Sequence, residues 1–152
     1  MKRVAILGRG GAGKSALAQR LSYVLDHPVI DLDSIFWRPG LRPTPEPEWA
    51  EIQRNLVARD RWIIDGDLGP CDTGLELRLG AADTIIVLNF SLWRCASQAL
   101  RRSCETREFW IWVYRYRRDS LPAITDAVAT RAPHATVYVL HNPRQVRRLL
   151  HS

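Results

Sequence analysis

Sulfur is scarce in this chain: three cysteines and one methionine among 152 residues. Cys71, Cys95 and Cys104 are odd in number and show neither C-x-x-C spacing nor a neighbouring histidine cluster. That pattern argues against a disulfide framework and a structural zinc site. No apolar run reaches the roughly 20 residues a membrane helix needs. Internal repeats, low-complexity tracts and Pro/Gly/Ser-rich linkers are missing, and 152 residues suffice for one domain with a real core. Met1-Lys2-Arg3 leads straight into an apolar stretch, without a signal-peptide pattern. The expectation is a single domain spanning residues 1–152, cytoplasmic, with reduced thiols and no membrane association. Acidic residues are also in short supply, 16 against 22 Lys and Arg, for a formal net charge of +6. The excess lies in the second half, at Arg94, Arg101, Arg102, Arg107, Arg115, Arg117 and Arg118, then Arg144, Arg147 and Arg148. A basic surface suits nucleic acid, or a site that holds several phosphates. Helix-turn-helix and zinc-finger patterns are lacking.

What is present is a glycine loop. Residues 8–15, Gly-Arg-Gly-Gly-Ala-Gly-Lys-Ser, fit G-x-x-x-x-G-K-[ST]. Val4-Ala5-Ile6-Leu7 before it is a short β-prone run, and Leu17, Leu21 and Leu25 after it have helical spacing. Strand, glycine loop, helix is the context in which this motif binds phosphate: backbone N–H groups turn inward around the anion at a helix N-terminus. Lys14 is expected to reach the β- and γ-phosphates and the Ser15 hydroxyl to bind Mg²⁺. Gly8, Gly10, Gly11, Ala12, Gly13, Lys14, Ser15 and Ala16 are the expected ATP-binding set.

Strands alternate with helices along the chain. Strands are expected at about 3–7, 29–32, 62–64, 84–88 and 136–140. Helices are expected at 14–25, at 48–59, from a Ser91 cap to about 103, at 109–130 with a break or kink near Pro122, and at 143–150. Pro39, Gly40, Pro43, Pro45 and Pro47 predict a loop or broken helix over 34–47, and 65–70 reads as a turn. This order implies a three-layer α/β P-loop fold, a parallel five-stranded sheet with helices on both faces.

Several segments together carry a resemblance. They are residues 8–15; Ile30-Asp31-Leu32-Asp33 with Trp37-Arg38-Pro39-Gly40; Trp62-Ile63-Ile64-Asp65-Gly66; and Leu77-Arg78-Leu79 with Ala82-Asp83-Thr84-Ile85-Ile86. Tyr116-Arg117-Arg118 with Ser120 and Pro122, and Asn142-Pro143-Arg144, complete the series. The chain resembles the adenylate-kinase-like P-loop kinases, most closely the bacterial group labelled DNA topology modulation protein. The resemblance implies a P-loop kinase fold, ATP and Mg²⁺ as cofactors, phosphoryl transfer, an acceptor-binding region at about 31–60 containing Trp37, and a short helical lid at about 101–118. Arg78 is implied as an acceptor contact. The chain departs from that group in having Asp67 where asparagine is usual, a short segment between Arg102 and Phe109, and Asp119 where a basic residue is common.

The acids follow the same logic. Asp31 and Asp33, two apart in an extended segment, share one face, at the strand ends where parallel sheets bind ligands. By resemblance, Asp33 is the acceptor-facing acid or base and Asp31 the Mg²⁺-side partner. The competing reading has Asp33 cap a helix starting at Ser34. Asp65, ending an apolar strand, stands where a Walker-B-type acid holds Mg²⁺; it also reads as a turn former before Gly66. Asp67 is read as an acceptor contact or as part of the Asp-Gly-Asp turn.

Arg102, Arg115 and Arg118 are the candidate phosphoryl-stabilising cations, since the migrating phosphoryl group needs charge around it and arginine grips phosphate oxygens bidentately. Arg115 and Arg118, three apart, share a helix face. The bland alternative is a solvated basic face. Trp49 and Trp62 are read as core, Trp37 as a wall of the acceptor pocket, and Trp93, Trp110 and Trp112 as seats for the lid helices. In similar kinases the loop holding Asn142 and Pro143 passes the adenine. The reading is a Mg²⁺/ATP-dependent phosphotransferase acting on a nucleotide or another small metabolite. Its alternatives are a nucleotide-dependent nucleic-acid-binding regulator and a nucleotide binder with little transfer activity. Nucleic-acid binding, if any, is expected to be weak and sequence-independent.

Overall fold

The computed structural model describes residues 1–69, 72–102 and 106–152, without the side chain of Arg102. The expectations for Cys71, Cys104 and the Arg102 side chain therefore lie outside the described residues. Cys95 is a free, buried thiol.

Five strands form one parallel sheet in the order β2 (Val29–Asp31), β5 (Trp62–Asp65), β1 (Arg3–Gly8), β6 (Thr84–Leu88) and β7 (Thr136–Leu140). The three central strands are nearly unbroken apolar runs because both faces of a parallel sheet are covered. One face packs on α1 (Lys14–Leu25) and α7 (Pro143–Leu150), around Ile6, Leu17, Leu21, Ile86 and Val146. The other packs on α3 (Glu46–Val57), α4 (Leu75–Ala81) and α6 (Arg107–Arg131), around Leu7, Trp49, Trp62, Leu79 and Tyr116. Cys95 of α5 (Leu92–Arg102) joins the first of these cores. Three layers and a parallel five-stranded sheet agree with the sequence expectation, and Trp49 and Trp62 are core as read.

Local chemistry sets the helix starts. The Ser91 hydroxyl accepts from Arg94 N, Thr106 Oγ1 from Phe109 N, and Asn142 Oδ1 from Gln145 N. Pro143 occupies the first turn of α7, where its missing N–H costs nothing.

Four local expectations need correction. Residues 34–47 contain structure: a short helix α2 (Leu32–Phe36) and a hairpin of β3 (Trp37–Arg38) with β4 (Arg42–Pro43), turned by Gly40 at φ 76°. The proline count hid a two-residue ladder that a proline can flank at an edge. The α4 helix was not expected, because its seven residues are too few to show periodicity. The α6 helix runs through Pro122 to Arg131 without interruption; packing along its length outweighs one lost backbone bond. Trp93 seats no helix, being 83% exposed. Trp112 does, packing on the loop at Gly69, where a Cβ would stand 2.8 Å from its indole nitrogen.

Candidate active site

The glycine loop joins β1 to α1 at the carboxyl edge of the sheet. Gly11 and Gly13 have φ of 76° and 89°, a region that L side chains avoid. Gly11 also lies against α5: a Cβ there would be 2.1 Å from the Cys95 carbonyl oxygen. A Cβ on Gly10 would meet the Phe109 ring at 2.6 Å, so α6 covers that residue. The Lys14 ammonium folds over the loop and donates to the carbonyls of Gly8, at 2.9 Å, and Arg9, at 3.3 Å. Ala12 is buried, whereas Ser15 and Ala16 are exposed at the start of α1.

The strand order brings the acids to this loop. Asp65 ends β5 beside β1, paired in register with Ile6 on one side and Asp31 on the other. Asp65 is buried. Asp31 and Asp33 do not share one face of a strand. The strand stops at Asp31, and Leu32 opens α2. Asp31 is the cap of that helix, its Oδ1 accepting from Asp33 N at 3.1 Å. This also sets aside the reading of Asp33 as a cap at Ser34: the capping duty falls on Asp31, and the Asp33 carboxylate remains for other work. Asp33 is exposed in α2. The protein around it raises its pKa, the Lys14 charge opposes that shift, and Asp31 and Asp65 add to it, while the neighbouring Trp37 side chain opposes it. Lys14, Asp31 and Asp65 thus all act electrostatically on Asp33. Trp37 is partly exposed and packs edge-on against Phe36, with ring centroids 4.8 Å apart.

Asp67 is buried behind this group. Its Oδ1 accepts from Gly69 N at 2.9 Å and its Oδ2 from the Tyr116 hydroxyl at 3.2 Å. Burial raises its pKa, opposed by the Gly69 amide, the Lys14 charge and the Tyr116 hydroxyl. Burial and the Asp67 carboxylate likewise push the Tyr116 phenol above its usual value, so it stays protonated and donates. Arg78 is placed away from solvent. Only 1% exposed, it is ion-paired with Asp72 and donates to Gln53. In this arrangement it braces α4 and α3.

Among the described residues, no three His, Cys, Asp or Glu side chains converge as a self-sufficient metal site. Mg²⁺ needs no such cluster, because it takes one or two carboxylates and completes its shell with water and substrate phosphate.

Arg115 and Arg118 do share a face. With Arg9, Leu92, Tyr114 and Arg117 they line an open cleft of about 460 Å³. Arg117 Nε donates to Asn89 Oδ1 at 3.1 Å, just past the end of β6. Arg118 lies 3.6 Å from Asp119 in a solvent-exposed pair, a contact worth little. At the far end of the sheet, Asn142 uses its side chain to cap α7, and the His141 N–H donates to Gln145 Oε1. Sequence reasoning placed Tyr116 and Arg117 on this helix without naming them as site residues, and it did not mark Arg9. Tyr116 and Arg117 stood within a quoted motif; Arg9 occupies a variable position of the loop pattern, and no spacing rule marks it.

No family model matches the chain. A Bacillus subtilis (strain 168) protein described as the uncharacterized protein YqaC is 32% identical over 79 residues, 51% of this chain and 43% of that protein. The matched stretch therefore spans under half of that relative's length. Among solved structures, the shikimate kinase of Acinetobacter baumannii in complex with shikimate gives a TM-score of 0.70 at 14% identity, over 99% of this chain and 89% of that one. A gluconokinase from Sinorhizobium meliloti 1021 gives 0.59 at 13% identity over 98% and 89% of the two chains. The deoxyadenosine kinase of M. mycoides with bound dATP gives 0.53 at 13% identity over 97% and 96%. At such identities the likeness is one of fold: this chain shares its parallel five-stranded sheet with helices on both faces with these kinases.

Proposed function

We propose that this protein is a Mg²⁺/ATP-dependent phosphotransferase of the adenylate-kinase-like type, acting on a nucleotide or another small hydroxyl- or phosphate-bearing metabolite. The observation that carries this reading is that Lys14, Asp31 and Asp65 all act electrostatically on Asp33, with Asp31 and Asp65 paired at the carboxyl ends of β2 and β5. A phosphate-gripping cation beside acids of separable roles is what phosphoryl transfer requires. The glycine loop fits the nucleotide, because Gly11 and Gly13 adopt conformations that let backbone N–H groups turn toward an anion. Ser15, Asp65 and Asp31 would hold Mg²⁺. When bound, the metal neutralises charge on the phosphate oxygens.

The chain's own groups divide the remaining work. Lys14 exchanges its bonds to the Gly8 and Arg9 carbonyls for the β- and γ-phosphates. Asp33 orients the acceptor hydroxyl and takes its proton as the acceptor oxygen bonds to the γ-phosphorus and the bond from that phosphorus to the bridging oxygen of ADP breaks, with ADP leaving. Its raised pKa suits a base. Trp37 walls the acceptor side, with Asp67 behind it. Arg115 and Arg118, with Arg102, neutralise the migrating group. Asn142 and Pro143 flank the base. The proposal includes the finer resemblance to the bacterial DNA topology modulation group, which rests on the motifs quoted above. In the test, ADP release from Mg²⁺-ATP is measured against a panel of nucleotides, nucleosides, sugars and hydroxy acids, with water alone as control. Release stimulated by one acceptor class supports the reading, and release equal to the water control for every class counts against it.

A further inference from the structure

The two edges of the sheet are unlike. β2 is three residues long, ends in Asp31 and runs directly into α2. A short, charged strand of that kind is how proteins blunt an edge. β7 has five residues, Thr-Val-Tyr-Val-Leu, with no charge, proline or glycine. Among the described residues no strand pairs with its outer side.

The register fixes what that edge offers. Thr136 N–H donates to the Asp83 carbonyl, and the Leu140 carbonyl accepts from Asn89 N–H. The backbone groups of Thr136, Tyr138 and Leu140 therefore turn inward to β6, and those of Val137 and Val139 turn outward. Side chains alternate as well. Tyr138 and Leu140 pack in the core beneath α1 and α7. Val137 and Val139 point to the other face, the one that carries α6, and are 40% and 46% exposed. Among the described residues neither joins the core cluster of that face. Apolar side chains and open backbone groups thus lie along one line.

Charge selects the partner. Residues 127–152 contain Arg131, Arg144, Arg147 and Arg148 and no Asp or Glu. Arg131 is paired with Glu76. Arg144, Arg147 and Arg148 are exposed on α7 and, among the described residues, have no ion-pair partner. α7 packs on the Tyr138 face of the sheet. A second copy of the chain would bring the same unpaired cations to the same edge. A nucleic acid would meet the arginines but could neither continue the ladder nor cover the valines. An extended acidic peptide does all three.

We infer that the outer edge of β7 is a docking site for an extended acidic segment of a partner protein, which adds to the sheet as a further strand. The segment's side chains alternate: apolar on the valine face, acidic on the α7 face, where Arg144, Arg147 and Arg148 meet them. The site goes beyond the kinase reading and does not depend on it, since β6 and β1 stand between this edge and the strand that carries Asp65.

The probe is a synthetic peptide of about seven residues, alternating valine and glutamate, blocked at both ends and labelled for fluorescence anisotropy. Two controls accompany it. One has lysine in place of glutamate. The other is N-methylated at alternate amides, which keeps side chains and charge but removes the ladder donors. Saturable binding to the whole chain is expected, at least about tenfold, roughly 1.4 kcal/mol, tighter than either control. Binding should weaken at least about tenfold in Val139→Pro, which removes an outward donor and leaves the β6 ladder in place. The same loss is expected when Arg144→Glu is combined with Arg148→Glu. Both arginines are exposed, so that variant remains decisive even where Val139→Pro perturbs folding. Amide hydrogen exchange at Val137 and Val139 should slow when the peptide binds. Equal binding of the N-methylated peptide would mean that charge alone attracts it, and would overturn the inference. So would the lack of saturable binding up to about 1 mM. A dimer in sedimentation velocity that Val139→Pro dissolves would assign the edge to a second copy. Single-stranded RNA that slows exchange at the same two amides would assign it to nucleic acid. Either result also overturns the inference. ADP release plays no part in these readouts, so the kinase reading is judged separately.

Discussion

The hydroxyl of Tyr116 donates to Asp67 Oδ2 across 3.2 Å, joining α6 to the loop after β5 beneath the glycine loop. Both partners are buried, at 1% and 7% exposure. The same ring lies beside the Arg9 guanidinium. One side chain of α6 therefore touches both the loop after β5 and the glycine loop.

Removing that hydroxyl tests the link. Tyr116→Phe leaves Asp67 Oδ2 buried without its donor, a loss of about 1–3 kcal/mol. Denaturant unfolding of the two proteins measures it. A change within about 0.3 kcal/mol would mean that the bond does not contribute to the fold.

The pH dependence of stability has a definite sign at Asp67. Its pKa is raised in the folded protein, chiefly by burial, so the native state binds a proton more readily than the unfolded chain. Native stability from this group is fullest below the unfolded carboxylate pKa. It declines as pH rises through the folded value. Asp67→Asn removes the titration, so the fall in stability from about pH 4 towards neutrality should be shallower in the variant. Parallel curves for the two proteins, from urea midpoints across pH, would contradict the assignment.

Asp33→Asn should lower turnover about 100-fold, the usual scale for a lost general base, with ATP affinity little changed. In the wild type, activity should rise with pH through the raised Asp33 pKa, because only the ionised carboxylate accepts a proton. Steady-state kinetics across pH provides both readings. Unchanged turnover with a responsive acceptor would remove Asp33 from the mechanism.

The frame was legible in the sequence for a physical reason. Strands buried on both faces are apolar along their length, as Thr84-Ile85-Ile86-Val87-Leu88 is, and the glycine loop needs its own residues at fixed spacing. The acids at strand ends were legible for the same reason. Finer geometry was not. The distinction between Asp31 as cap and Asp33 as open acid depends on where β2 stops, a matter of one residue. The resemblance implies Arg78 as an acceptor contact, and no sequence pattern shows that it is buried, with Nη2 on Asp72 and Nη1 on Gln53. Arg9 carried no signal, because its burial comes from α5 and α6 folding back over the loop.

Exposed arginines and aromatics on this +6 chain should give DNA binding that is weak, sequence-independent and steeply salt-sensitive. Trp93 and Tyr114, 83% and 72% exposed, stand among those arginines. Mg²⁺-ATP should compete, since the arginines are shared. A duplex titration at low and near-physiological salt, with and without Mg²⁺-ATP, decides it. Tight, sequence-selective binding that ignores ATP would favour a nucleic-acid regulator.

The most direct measurement follows the γ-phosphate of labelled ATP into acceptor, comparing the wild type with Lys14→Ala. Lys14 reaches across the glycine loop from the first residue of α1 and contributes to no core, so the variant should fold normally. Acceptor-dependent label transfer in the wild type, and its loss by at least about 100-fold in the variant together with severely weakened ATP binding, is the expected result for a cation that grips the transferred group. Equal transfer and equal ATP affinity in the two proteins would contradict phosphoryl transfer at this loop.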